Sequence, residues 1–335
     1  MRSSSVGLAM IVFSGLLIAS FAAPMKLVRR FRWENTWLVY ATLALVILPV
    51  GLVIWAVPHP VDLYRSLPIQ VLIAPLLFGF GWGIAQVTFG LSIARVGMAM
   101  AFAIVIGLSS LLGSVVPLAV FQPQDLLGRP GAVLLTSAVL LFSGLAVYVM
   151  ADKRRQLQDS EINHAGSGRG VLLCVFTGCF GSMINMGFVF GHGIAEQAER
   201  NGVSTGSATI CVWAVVLAAG YLPNLAYTIY LLERNHTIAH FVGSFIRDSS
   251  VALLAAVLWL FGMLGYGFGA EKMGKYGNSI GFAAFMAVTL IWSTSLGLFV
   301  GEWKSAPSTA MRRMRIGLAL ILVSMSVLGV GTLIH

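Results

Sequence analysis

Acidic side chains are scarce in this chain, and their placement is more telling than their number. Twelve Asp and Glu occur in 335 residues, all in loops or at the ends of apolar runs. No acidic pair and no metal-ligand cluster stands at any polar–apolar boundary, which argues against an integral-membrane enzyme and leaves no candidate catalytic or metal-binding residue. Cysteine is nearly absent: Cys174, Cys179 and Cys211 lie in apolar runs without metal-ligand spacing and read as buried, inert thiols. Polar sequence is short as well. The longest polar stretch covers residues 151–169, too little for a soluble domain.

What is present is apolar. The chain is 58% hydrophobic and 10% charged, with a mean hydropathy of +0.89, whereas soluble domains carry about 25% charged residues. Apolar stretches of roughly 20 residues recur, each long enough for a hydrocarbon core of ~30 Å. With no water to pair the backbone there, they must be helices, and the 37 glycines suit close helix contacts. The net charge of +9 does not mark a nucleic-acid partner, because Lys and Arg sit between the apolar runs, where they set topology.

The runs predict ten membrane helices, at 5–24, 36–57, 69–94, 97–121, 131–150, 170–190, 205–231, 249–269, 276–300 and 312–334. The first resembles a secretory leader, but its stronger charge (Lys26, Arg29, Arg30, Arg32) follows the run, so it is read as a membrane helix. Of the 21 Lys and Arg, 15 fall in odd-numbered loops and 6 in even-numbered loops or termini. The positive-inside rule then places odd loops in the cytoplasm and both termini on the periplasmic side of a bacterial inner membrane.

The order of motifs repeats. A shift of 163 aligns Gly7, Val12, Phe13, Ser14 and Gly15 with Gly170, Val175, Phe176, Thr177 and Gly178. A shift of 177 aligns Trp82, Phe89, Gly90, Arg95 and Gly97 with Trp259, Tyr266, Gly267, Lys272 and Gly274. A shift of 184 aligns Ser109, Ser110, Leu112 and Gly113 with Ser293, Thr294, Leu296 and Gly297, and Leu48-Pro49 has a counterpart in Leu222-Pro223. The expected organisation is a duplicated five-helix unit, residues 1–160 and 161–335. Because five is odd, the second copy enters from the opposite side, the inverted-repeat arrangement of secondary transporters.

Several of these segments resemble the L-rhamnose–proton symporter (RhaT) family of the drug/metabolite transporter superfamily. They are Ala23-Pro24-Met25-Lys26, the basic run to Trp33-Glu34-Asn35-Thr36-Trp37, and Ile47-Leu48-Pro49. Leu77–Ile84, Phe89-Gly90-Leu91, Val96-Gly97-Met98 and Gly297–Trp303 continue the likeness. The resemblance implies ten helices in two inverted halves, the drug/metabolite transporter fold, around a central cavity. It also implies import of a small sugar, L-rhamnose or a related monosaccharide, by proton symport with alternating access. The proton gradient would supply the energy and no cofactor would be needed. The partners implied are sugar, protons and membrane lipid, with no nucleic acid. The glycine- and phenylalanine-rich eighth and ninth helices favour an alternative, an exporter or facilitator of another small amphipathic metabolite.

Candidate substrate-binding residues follow from polarity inside helices. Gln86 is the one amide well inside the third helix, with Trp82 four residues before and Phe89 three after on the same stripe. An aromatic floor beside an amide suits a sugar, whose C–H face packs on a ring while its hydroxyls bond outward. Trp259 and Tyr266 repeat that stripe in the other half and are expected to face it across the cavity. Ser109 and Ser110 pair by repeat with Ser293 and Thr294, beside Trp292, although hydroxyls in such helices commonly bond their own backbone. Asn185 and Asn224 are further deep amides, Asn224 following the kink expected at Pro223, and Asn278 is expected at the cavity rim. Ser14 and Ser20 are weaker candidates. Gly277-Asn278-Ser279-Ile280-Gly281 has the spacing of a nucleophile elbow, but it opens a membrane helix and reads as a packing surface. For the implied proton coupling the acids to consider are Asp248, Glu34 and Glu302. Each has a plainer role open to it: Asp248 as a helix N-cap, the two glutamates as partners of cytoplasmic arginines. His192 is expected in a loop.

Overall fold

Helix is the only regular backbone in the computed structural model, which describes residues 2–96, 98–159, 168–243, 245–300 and 306–333. In chain order the first helices are α1 (Arg2–Ser20), α2 (Trp33–Thr42), α3 (Leu48–Ala56), α4 (Pro60–Ser66) and α5 (Ile69–Val96). They are followed by α6 (Met98–Phe121), α7 (Pro123–Leu126), α8 (Arg129–Asp159), α9 (Gly168–Gly181), α10 (Met183–Phe190) and α11 (His192–Arg200). The last are α12 (Thr205–Arg234), α13 (Phe245–Met273), α14 (Phe282–Val300) and α15 (Ser308–Leu333). Among the described residues, seven stretches are long and apolar enough to cross a membrane: Ser4–Leu27, Trp33–Ala56, Ile69–Ile93, Ile104–Phe121, Gly168–Arg200, Thr205–Arg234 and Phe245–Ser293. The chain is therefore a multi-pass membrane protein.

Local chemistry explains where the helices depart from the sequence-based expectation. The second expected helix is uninterrupted in the sequence, but Leu43–Ile47 winds as a π segment between α2 and α3, just before Pro49. A proline cannot donate to the preceding turn, and a wider turn absorbs the mismatch. The sixth expected helix breaks at Ser182, whose hydroxyl turns back to donate to Cys179 O at 2.7 Å. His192, expected in a loop, instead opens α11, which buries Ile194, Ala195 and Ala198 on one face and keeps its charges on the other. His192 and Arg200 flank Glu196 at 3.4 and 3.7 Å on that exposed face.

The chain packs into two compact units, each drawing on both sequence halves: Met1–Gly15 with Thr88–Ser182 and Gly269–His335, and Leu16–Val87 with Met183–Phe268. In the first unit α8 lies along α15, and α6 packs against α8, α9 and α14. Gly7 lets α1 touch α13 directly: a Cβ there would meet Gly269 O at 2.6 Å. In the second unit α12 is the hub, contacted by α2, α3, α10 and α11. Two glycines of α5 close its seam with α12. A Cβ on Gly79 would overlap the carbonyl oxygen of Val216, and one on Gly83 that of Gly220. Those oxygens belong to main chain and cannot swing aside, so Gly83→Ala should destabilise the protein by about 1–3 kcal/mol. Thermal unfolding in detergent measures this. Gly51→Ala is the control, since a Cβ there meets nothing within 4 Å and should leave stability equal or higher through helix propensity.

Candidate functional site

The second unit carries the aromatic and amide residues singled out in the sequence. Trp82 on α5 and Trp259 on α13, the repeat-related pair, stack with ring centroids 5.6 Å apart and planes 23° from parallel. Gly220 on α12 gives Trp82 its seat, since a Cβ there would lie 2.7 Å from the indole. Tyr40 meets Trp259 edge-on at 6.5 Å and tilts against Trp37 at 5.0 Å. Aromatic pairs of this kind contribute about 0.5–1.5 kcal/mol each beyond their buried area. The two tryptophans thus pack on one another, with 6% and 5% of their surface exposed, instead of facing each other across open space.

The deep amides are held by named partners. Asn224 accepts from Trp37 Nε1 at 2.9 Å and donates to Gly220 O at 2.9 Å. Pro223 beside it withdraws the backbone donor that would have reached Ala219 O, one residue before the carbonyl that Asn224 engages. Asn185 on α10 accepts a short hydrogen bond from the Tyr266 hydroxyl, and both residues are fully buried. Phe188 and Trp213 complete this layer, stacked at 4.7 Å and 5°, with Tyr266 edge-on to Trp213 at 6.4 Å. Trp213 was not picked out in the sequence. Its spacing held the signal: positions 213, 220 and 224 fall on one face of a 3.6-residue helix. Its Nε1 is buried and makes no hydrogen bond with any described residue.

Gln86 differs from the other amides. It sits one turn beyond Trp82, is half-buried, and makes no hydrogen bond within the described residues. Among the described residues the second unit therefore pairs its other deep amides and leaves the Trp213 N–H and the Ser249 hydroxyl buried without a partner, with the half-buried Gln86 carboxamide also uncommitted.

The remaining candidates are placed less suggestively. In the first unit Ser109 donates to Gly178 O at 2.9 Å, joining α6 to α9. Ser110 faces a small cavity elsewhere in that unit. Ser293 bonds back to Leu290 O at 3.0 Å beside a half-buried Trp292 on α14, and the Thr294 side chain lies outside what the structure describes. Ser14 and Ser20 bond back to Met10 O and Leu16 O. Asn278 is half-buried in the π segment Gly277–Gly281 that leads into α14.

Two of the three candidate acids hold loops. The Asp248 carboxylate, fully buried, accepts backbone N–H bonds from Arg29 (3.2 Å), Arg30 (2.9 Å) and Phe31 (3.1 Å). Asp248 lies inside the first turn of α13, which starts at Phe245, so it binds a loop where the sequence had offered an N-cap. Glu34 accepts from Asn235 Nδ2 at 3.0 Å and Thr237 Oγ1 at 2.8 Å, so neutral donors make its side-chain hydrogen bonds while Arg32 acts on it through charge, as expected of a cytoplasmic arginine. Glu302 lies outside the described residues. Asp248→Ala would take their acceptor from three N–H groups, of which that of Phe31 is buried, and should lower stability by roughly 1–3 kcal/mol. It should also speed tryptic cleavage after Arg29 and Arg30, and a cleavage rate equal to wild type would show that the clamp does not hold the loop.

Residues 3–333 match the model of the family described as L-rhamnose-proton symport protein (RhaT). The chain is 24% identical over 325 residues to the L-rhamnose-proton symporter of Mannheimia succiniciproducens, covering 93% of this chain and 94% of that protein. It is 24% identical over 334 residues to proteins of the same description in Yersinia pestis and Yersinia pseudotuberculosis, with the same coverage. The match runs nearly end to end, and the chain belongs to the L-rhamnose-proton symport protein (RhaT) family.

Proposed function

We propose that this protein is a carrier in the bacterial inner membrane that imports a small sugar, L-rhamnose or a related monosaccharide, by proton symport. Family membership supplies the reaction class. The observation that carries the site assignment is Gln86: a half-buried amide, one turn from a stacked tryptophan, with no hydrogen bond inside the described protein. An amide not committed to a protein partner is open to a ligand, and a sugar hydroxyl offers it both a donor and an acceptor. Trp213 Nε1 is a second uncommitted donor in the same unit. In this reading Trp82 and Trp259 part to admit the sugar's C–H face. Asn185, Asn224 and Tyr266 then exchange protein partners for sugar hydroxyls. Ser109, Ser110, Asn278, Trp292, Ser293 and Thr294 contribute from the rest of the pathway.

The reading includes ten membrane crossings in two inverted five-helix repeats, 1–160 and 161–335, with both termini periplasmic. Its support is the stacking of Trp82 on Trp259, residues that the repeat relates by a shift of 177. No cofactor is required, because the proton gradient drives uptake. Proton coupling falls to Asp248, Glu34 or Glu302. The carrier among them is the one whose amide variant keeps sugar exchange and loses accumulation driven by a pH gradient.

A thermal-shift panel of L-rhamnose and related sugars on the purified protein tests the assignment, followed by pH-driven uptake into proteoliposomes. A cognate sugar should raise the melting temperature of wild type, and Gln86→Ala should weaken its binding about 5–20-fold, the worth of one lost buried hydrogen bond. Failure of every sugar to stabilise a folded wild-type protein would overturn the sugar assignment. An intact sugar response in Gln86→Ala would remove Gln86 from the site.

A further inference from the structure

Serine hydroxyls in this protein commonly bond back to their own helix: Ser14 to Met10 O, Ser92 to Thr88 O, Ser250 to Ile246 O and Ser295 to Ile291 O. Others in the first unit reach across to a neighbouring helix, Ser109 to Gly178 O and Ser324 to Ser137 O, but two have no protein partner among the described residues. Ser114 on α6 and Ser137 on α8 are each 1% exposed, and neither hydroxyl oxygen makes a hydrogen bond within the described residues. Both line one enclosed cavity, together with Ser110 on α6 and Ser324 on α15. Those two serines are also 1% exposed. Ser324 already donates its proton to Ser137 O at 2.7 Å, so its oxygen is left as an acceptor.

The cavity measures about 10 Å³ by the space open to the centre of a water-sized sphere, which is room for about one water. An empty apolar void of this size is tolerable, but a void facing unpaired hydroxyls is not. A buried water needs two to four polar partners, and this cavity offers four hydroxyl oxygens on three helices. We propose that a single resident water occupies it, donating to Ser324 and one further hydroxyl while accepting from Ser114 and Ser137. The water would pin α6, α8 and α15 at one point and give both orphan hydroxyls a partner. The inference is independent of the transport assignment, since it concerns the first unit's packing and not the substrate.

The sign of a stability change tests it. If the water is present, Ser114→Ala and Ser137→Ala each remove one of its partners, and each should lower the melting temperature in detergent by about 2–4 °C. The double variant should fall by less than the two single changes together, because both act on one water. If the cavity is dry, each alanine removes an orphan hydroxyl at no loss, and the melting temperature should hold or rise; that result would overturn the proposal. Replacing sodium chloride by choline chloride separates a cation from water. A wild-type melting temperature that depends on sodium, with the dependence lost in Ser137→Ala, would overturn the water in favour of a bound cation. A high-resolution map with a density peak within hydrogen-bonding distance of Ser114 Oγ and Ser137 Oγ would support it even if a variant failed to fold.

Discussion

In a chain this apolar, every polar group that enters hydrocarbon must take its partner with it. The backbone answers that demand with helix, which is why helix is the only regular structure among the described residues. Side chains answer it case by case. Hydroxyls turn back onto their own carbonyls, as Ser14, Ser20 and Thr228 do. Amides reach across helices, as Asn224 does to Trp37 and Asn185 to Tyr266. The carboxylates of Asp248 and Glu34 collect donors from loops brought to them.

This constraint gives meaning to the exceptions. Where nearly all deep polar groups are satisfied internally, an unpaired one is conspicuous. In the second unit Trp213 Nε1 stands out beside the tyrosine–asparagine pair, as does Ser249 Oγ, and the half-buried Gln86 lies one turn from the tryptophan stack. Ser114 and Ser137 stand out in the first. Trp213 and Gln86 sit with aromatic faces suited to a sugar ring, Ser114 and Ser137 around a space too small for anything but a water or an ion.

Much of the fold was legible in the sequence because hydrophobic runs of membrane length can be seen without knowing their neighbours. The pairing of Trp82 with Trp259 was legible too, since the repeat relates them, although the expectation of an open space between them was not met. What escaped depends on contacts distant in the chain. Asp248 binds Arg30 N across 218 residues, and no local pattern announces it. The break at Ser182 and the π segment Leu43–Ile47 are adjustments of a turn whose hydropathy is unremarkable. Trp213 shares a helix face with Gly220 and Asn224, but an aromatic on an apolar helix ordinarily means packing, and its unbonded N–H is visible only in the structure.

The seam between α5 and α12 bears on how such a protein diverges. At Gly79 and Gly83 one helix meets the carbonyl oxygens of the other, with no side chain between them. The surfaces in contact are main chain, whose shape is the same whatever residues flank it. Substitution away from Gly79, Gly83 and, across the seam, Ala219 and Gly220 changes no atom of that close approach. Lineages are then free to rewrite most of both helices while keeping the same fit. That freedom is in keeping with a chain that has drifted to 24% identity with its relatives yet still aligns with them over 93% of its length.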